Sequence, residues 1–531
     1  MAWAHQGSSW TEAETNIFAR VKWLRVLLMI TPAVVALCAA LWHGAFLVDD
    51  AYITFRYAEN LAGGRGLVFN PGDAVLGTSS PLMAILLGLL RLVGVNVPLA
   101  ARGLGVMSVV AVVLIVQVLA RRCLGPVGAA VLAACAAIHP ALTFTANSGM
   151  ETGLSMAAVY GTLLLAVQGR YFPAGLAGGT AFLLRPDGAL VVLVIIGVVL
   201  LRAPRRVWQP LVATVVVAAP WLIFAAITYG RIMPHSIEAK QFIHPDTPLH
   251  VLQTALQWLT VGRATMIIGG FAMVGLAMSA FRGTELALLA IWILLYLGGL
   301  SLARIECVFP WYVTPVLPGM MLLAGYGITC LARALPVGAP GAPTEHRFLS
   351  RVPVPFLLLL LAVLCLLDAP AWRAKHERQF ARVRAYLRIA ELLRPRCAPG
   401  DVVFLGEVGA LAYGLAHQRI LDSSGINSPE VLHARKADRA HLRAAGIVGP
   451  AREGSPVWVL AVVDRFRPRY IVTYRRWLHI ETITEHVPSF NRTYRRIAAD
   501  VPGLGNFFVF ERVAENTDRL FPATNPSYAT P

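Results

Sequence analysis

Charge is scarce in this sequence. Of its 531 residues only 14% are Asp, Glu, Lys or Arg, against about 25% in a soluble globular chain, which excludes an ordinary water-soluble enzyme. Lysine is scarcer still: Lys22, Lys240, Lys375 and Lys436 are all there are. The seven cysteines form no Cys-x-x-Cys pair and no cluster with histidine, so neither a zinc site nor a disulfide framework is indicated. No basic run interleaved with aromatics accompanies the net charge of +17. Nucleic acid is therefore not an expected partner, and the arginines read as loop ends of membrane helices. No A-x-A site follows a short apolar core near the start, so the first apolar run reads as a span and not as a cleaved leader. Beyond Leu367 no apolar run approaches the ~18 residues that a membrane crossing requires.

What is abundant is apolar: 57% of the residues. Candidate spans fall at 26–47, 81–95, 103–120, 126–142, 153–168, 174–184, 189–202, 208–228, 264–281, 285–303, 313–333 and 353–367. The expectation is about ten to twelve crossings, some short or re-entrant, because several runs fall below the ~20 residues that cross comfortably. The fold class expected is thus an all-α polytopic membrane domain (23–368) behind a short N-terminal segment (1–22). A soluble α/β domain (369–515) and a disordered end (516–531) should follow. The polar third supports this division: residues 369–531 hold 24 of the 46 Lys+Arg and 15 of the 29 Asp+Glu. Its strand candidates are Asp401–Leu405, Arg419–Asp422, Arg469–Tyr474 and Phe507–Phe510.

Lys/Arg placement orients the chain. Arg20, Lys22 and Arg25 precede the first span and put the N-terminus in the cytoplasm, with loop 48–80 and the tail outside. The doublet Arg121–Arg122 belongs to the cytoplasmic side only if 81–95 does not cross fully, so that segment is expected to be an incomplete crossing.

The outward loops carry tight groups of acids and bases. Loop 48–80 begins Val48-Asp-Asp-Ala-Tyr and continues through a Gly-rich exit. If 50–61 is helical, Asp49, Tyr52, Arg56 and Asn60 share one face. Asp50 then points about 100° away from Asp49, so the two carboxylates cannot share a role. Further groups are Ser148–Thr152 with Glu151, Arg185-Pro-Asp-Gly188, Tyr229–Lys240 with His235, Arg304–Glu306, and Pro310-Trp-Tyr312. Carboxylates and cations facing one cavity suit transfer from a phosphate-linked donor. The departing phosphate needs positive charge, which Arg56, Arg185, His235 and Lys240 could supply. The incoming hydroxyl needs a base, either Asp49 or Asp50. Tyr52, Asn60, Glu151 and Glu306 are the remaining candidates for substrate contact. A divalent cation, if one is used, would be held by Asp49, Asp50 and Glu151.

Residues 49–72 together with Val75-Leu-Gly-Thr-Ser-Ser-Pro-Leu82 resemble the polytopic GT-C glycosyltransferases, closest to the branch of actinobacterial terminal arabinofuranosyltransferases. The later groups around Glu151, Arg185, Lys240 and Trp311, and the tail run from Gly406 to Glu430, follow in the order of that family. The resemblance implies an outward cavity, a polyprenyl-phosphate sugar donor, a glycan or lipid acceptor, membrane lipid around the enzyme, and an essential acid at Asp49 or Asp50. It implies phosphate-side roles for Arg185 and Lys240. Where those enzymes carry Glu-Gly-Tyr-Thr-Ser-Pro this chain has Leu76-Gly-Thr-Ser-Ser-Pro81, so the resemblance speaks for glycosyl transfer and leaves the sugar open. The competing expectation is a secondary transporter or lipid flippase, which would place ionisable groups near the bilayer midplane.

Overall fold

The computed structural model describes residues 12–44, 46–243, 245–282, 285–305, 308–334, 354–444, 455–474, 477–497 and 507–513. The expected disordered end 516–531 and Glu306 lie outside the described residues. The chain is a multi-pass membrane protein. Six helices are long and apolar enough to cross a bilayer, and shorter apolar helices at Pro81–Leu92, Tyr171–Leu184 and Leu286–Leu302 lie among them.

The segment Val97–Ile138 shows how the bundle is threaded. At 42 residues a straight helix would be about 60 Å long, twice a bilayer core. It is not straight: Gly125 leaves helical geometry with φ 68°, a left-handed conformation suited to glycine, and Pro126 follows. The two halves fold back on one another. A Cβ at Gly105 would lie 2.5 Å from the carbonyl oxygen of Ala146, and Arg102 Nε donates to Asn147 Oδ1 at 3.0 Å. Arg121 and Arg122 therefore sit at the turn, on the membrane face opposite Asn147. The helix Pro81–Leu92 explains why: its 12 residues span only about 18 Å. It lies against the first-loop helix, with Gly88 close to Leu61 and Ala58. Its length falls short of a bilayer core, in keeping with the incomplete crossing expected from the arginine doublet.

Close backbone approach fixes another pair of spans. A Cβ at Gly275 would lie 1.9 Å from Leu323 O, and one at Gly327 would lie 2.4 Å from Phe271 O. Helices Arg263–Arg282 and Leu317–Ala334 thus cross on two glycines, the small-residue packing on which membrane helices rely.

The last membrane helix does not stop at the bilayer. Val354–Leu393 runs on past Asp368 into the tail as one helix. The tail sheet has five strands: β1 Val402–Leu405, β2 Arg419–Asp422, β3 Tyr470–Tyr474, β4 Tyr494–Ile497 and β5 Phe507–Arg512, in the order β2-β1-β3-β5-β4. β1 is parallel to β2 and β3, whereas β5 is antiparallel to β3 and β4. The sequence reading found four of the five; Tyr-Arg-Arg-Ile at β4 is an edge strand with its two arginines exposed, so it lacks a buried pattern.

Strand alternation gives the sheet two apolar faces. Val403, Leu405, Ile420, Val472 and Val509 join a core with Phe55, Phe380, Val383 and Tyr386, that is, with the first-loop helix and the C-terminal half of helix Val354–Leu393. Phe404, Leu421, Ile471 and Phe510 face the other way, against helix Val457–Phe466 and its neighbours. The sheet is therefore bolted over one mouth of the helical bundle.

Candidate active site

Between that sheet and the bundle lies a cavity of about 640 Å³. Asp49, Asp50 and Ile53 line it from the first-loop helix, Lys240 from helix His235–Ile243, Tyr312 from the short helix Pro310–Val313, and Glu407 and Ser423 from the tail. The central pair is Asp50 and Lys240: Oδ2 and Nζ are 4.0 Å apart and both side chains are about one-third exposed. Lys240 also donates to the Tyr312 hydroxyl at 3.0 Å. Burial alone would lower the Lys240 pKa; Tyr312, then Asp50 and Glu151, reverse this and hold it above the ordinary lysine value.

Arg185 lies behind Tyr312, with its guanidinium carbon 5.3 Å from the ring centroid. It is already committed. It pairs with Asp187 at 2.7 Å and Glu151 at 3.3 Å, both of its own protein. Tyr296 donates to Asp187 at 3.2 Å and to the Tyr312 carbonyl at 2.8 Å. Glu151 and Arg185 thus brace Tyr312 from beneath, and neither lines the cavity.

The helical stripe Asp49, Tyr52, Arg56, Asn60 exists, since residues Asp49–Ala62 are helical, but it packs against the tail and its own loop, and of the four Asp49 alone also borders the cavity. Asp49 accepts hydrogen bonds from the amides of Gly409 (3.1 Å) and Ala410 (2.7 Å). A Cβ at Gly409 would lie 2.0 Å from the Asp49 carbonyl oxygen, so this contact requires glycine. Burial, and after it the Glu407 carboxylate, push the Asp49 carboxyl up to about 8. The Tyr52 ring is 5.4 Å from that of Tyr413. Arg56 is buried and donates to the carbonyls of Phe69 (2.7 Å), Leu415 (2.9 Å) and Gln418 (2.8 Å), and also to that of Ala412. Asn60 donates to the carbonyls of Val68 and Phe69 and holds its own loop. With no donor turned to a cavity, Arg56 is a clamp between loop 48–80 and the tail.

His235 is likewise outside the cavity. Its Nδ1 sits 2.7 Å from Arg231 and its amide donates to Leu76 O at 2.7 Å. The helix it opens is clasped from the tail: Lys436 meets Glu238 at 2.6 Å and Arg439 donates to Phe242 O at 2.7 Å. Lys436, and then Arg231, pull the Glu238 carboxyl down to about 2. This clasp fixes the helix that carries Lys240.

Glu407, Arg382 and Tyr386 were not singled out in the sequence. Arg382 pairs with Glu407 at 3.2 Å, Tyr386 hydrogen-bonds the same carboxyl, and burial raises the Glu407 pKa. Their only signal was Gly406-Glu-Val408 within the tail run, which carries no chemistry until the sheet is laid over the mouth. Among the described residues no three His, Cys, Asp or Glu side chains gather as a metal site. Asp49 is taken by amides and Glu151 by Arg185, so the set Asp49, Asp50 and Glu151 is not brought together around one ion.

This bundle with a sheet domain on one mouth is the GT-C architecture. ArnT from Cupriavidus metallidurans, solved bound to undecaprenyl phosphate, superposes with a TM-score of 0.60 at 16% identity, covering 93% of this chain and 98% of that one. The Archaeoglobus fulgidus oligosaccharyltransferase, solved with zinc and sulfate, gives a TM-score of 0.52 at 13% identity, covering 88% of this chain and 71% of that one. The mycobacterial arabinofuranosyltransferase AftD gives 0.44 at 17% identity, with 93% and 42% covered. At these identities the likeness is one of fold. Residues 372–521 match a family described as a domain of unknown function, DUF8728. No curated protein matches the sequence.

Proposed function

We propose that the protein is a membrane glycosyltransferase that moves a sugar from a polyprenyl-phosphate donor to a glycan or lipid acceptor of the cell envelope. The observation that carries this reading is the Asp50–Lys240 pair at 4.0 Å inside a cavity shared by bundle and tail. The fold shared with ArnT, which was captured with undecaprenyl phosphate, supports the donor class.

In this mechanism an acceptor hydroxyl attacks the anomeric carbon while the bond from that carbon to the phosphate oxygen breaks. Asp50 takes the hydroxyl proton. The electron pair leaves with the phosphate oxygen, and the Lys240 ammonium, aimed by Tyr312, meets the charge that grows there. Arg185 sets Tyr312 and Lys240 in place without touching the donor. Asp49, protonated over much of the neutral range, holds the roof. A transporter would need its ionisable groups near the bilayer midplane; these groups lie at the outer ends of the helices. Arginines gathered at the opposite helix ends, Arg121, Arg122, Arg202, Arg205 and Arg206 among them, support a reading in which the cavity and tail are external and the N-terminus is cytoplasmic.

The test is turnover of a short-chain polyprenyl-phosphate sugar by purified protein in nanodiscs, with envelope glycan or lipid fractions as acceptors. Asp50→Asn should abolish transfer with unfolding temperature unchanged. Wild-type turnover in that variant would remove Asp50 as the base.

A further inference from the structure

A second cavity, of about 300 Å³, lies at the other ends of the helices. Arg122, at the turn of Val97–Ile138, is on its wall, so it opens at the membrane face opposite Asp50. The inner wall is apolar, formed by residues such as Leu119, Leu163 and Leu289; the mouth carries Arg122, Glu285 and Arg333. Glu285 is the single acid among the described lining residues, and it is paired with Arg122. Arg333 is paired with no described acid. The cavity is therefore an apolar slot with a net positive rim, set between spans at the level where lipid headgroups lie.

We propose that this slot holds an anionic glycerophospholipid of that leaflet. Its phosphate sits between Arg333 and Arg122, and an acyl chain lies along Leu119, Leu163 and Leu289. Basic pockets between membrane helices take anionic headgroups in this way. A zwitterionic lipid is disfavoured because, among the described lining residues, its ammonium meets no unpaired carboxylate: Glu285 is already engaged by Arg122. The site is independent of the sugar chemistry, since none of these residues lines the Asp50 cavity.

The experiment is native mass spectrometry of the full chain released from nanodiscs containing equal phosphatidylglycerol and phosphatidylcholine. The wild type should retain phosphatidylglycerol preferentially. Arg333→Gln should reduce that retention at least about tenfold, as for the loss of one charge-assisted hydrogen bond, and Arg333→Lys should restore part of it. Leu163→Trp, which fills the slot without changing charge, should abolish retention. Arg205→Gln, at the same membrane face but outside the cavity, should leave it unchanged. Unfolding temperatures establish that each variant is folded, and if Arg333→Gln does not fold, Leu163→Trp carries the decision. Equal retention of the two lipids would overturn the proposal, as would an Arg205→Gln loss matching that of Arg333→Gln. Displacement of the lipid by millimolar glycerol 3-phosphate would also overturn it, by showing a site for soluble phosphate.

Discussion

Replacing Asp49 with alanine should loosen the tail and leave the chemistry at Asp50 in place. The carboxyl accepts from two backbone amides, Gly409 at 3.1 Å and Ala410 at 2.7 Å. Leaving a buried amide without an acceptor costs about 1–3 kcal/mol, so the pair puts Asp49→Ala at roughly 2–4 kcal/mol, because some water can enter beside Asp50. Asp49→Asn keeps one carbonyl and should cost about half as much, near 1–2 kcal/mol. It does not remove a charge that the wild type holds through the neutral range, since the Asp49 carboxyl is pushed up to about 8. Hydrogen exchange at Gly409 and Ala410 should therefore rise more in Asp49→Ala than in Asp49→Asn. Turnover measured well below the unfolding temperature should fall only as far as the roof loosens. The reasoning is refuted if Asp49→Asn abolishes transfer while exchange at those amides stays at the wild-type rate. Asp49 would then be a chemical group and not a tether.

Four more outcomes follow from the same geometry. Lys240→Ala should lower turnover and donor affinity together by about 1.5–3 kcal/mol, the range for a charged hydrogen bond, while Lys240→Arg recovers only part; equal wild-type kinetics in both would take Lys240 out of the site. Arg56→Met strands the carbonyls of Phe69, Leu415 and Gln418 and should cost more than about 3 kcal/mol by thermal unfolding, without the selective rise in donor KM expected of a phosphate ligand. Gly275→Ala, whose Cβ would lie 1.9 Å from Leu323 O, should lower the unfolding temperature or prevent insertion, unlike Gly270→Ala, which meets nothing within 4 Å. Asp49 has a folded pKa near 8 against an ordinary 3.8. The folded state thus holds a proton that the unfolded chain has released, and stability should decline as pH rises from about 4 to 8. Unfolding temperatures across that window should show a shallower decline in Asp49→Asn.

The sequence was legible where its physics is local. Apolar runs marked the bundle, and the arginine doublet at 121–122 marked the turn at which Val97–Ile138 breaks at Gly125. The helical repeat from Asp49 to Asn60 put Asp49, Tyr52, Arg56 and Asn60 on one face of a helix, and Asp49–Ala62 is helical. What local pattern could not supply was the use of that face. Arg56 meets carbonyls more than 350 residues away in sequence; a lone arginine among polar residues reads the same whether it awaits a phosphate or clamps a loop. Glu407, Arg382 and Tyr386 were invisible for the converse reason: they come from two tail segments that meet only when the sheet packs down through Val403, Leu405 and Val472. The angular separation of Asp49 and Asp50 was the most informative local fact. It implied two roles; in the structure both residues border the cavity, and Asp49 is in addition hydrogen-bonded to the tail amides of Gly409 and Ala410 while Asp50 faces Lys240.

The arrangement also explains why a tail is needed over a membrane cavity at all. Asp50 and Lys240 stand on two short helices, Asp49–Ala62 and His235–Ile243, neither of which crosses the bilayer. Short helices are marginal alone and take their stability from packing. The first is held from the tail at Asp49, Tyr52 and Arg56, the second through Glu238 and Phe242. The bundle contributes the brace under Tyr312, through Arg185, Glu151 and Asp187. A pair of opposite charges held 4.0 Å apart in a partly buried site is useful to transfer only if neither partner can swing away to a better one. Among the described residues several neighbouring acids are already paired elsewhere: Glu151 and Asp187 with Arg185, Glu238 with Lys436 and Arg231, Glu407 with Arg382. These ion pairs lower the competition for Lys240, and the tail holds the two short helices on which Asp50 and Lys240 stand.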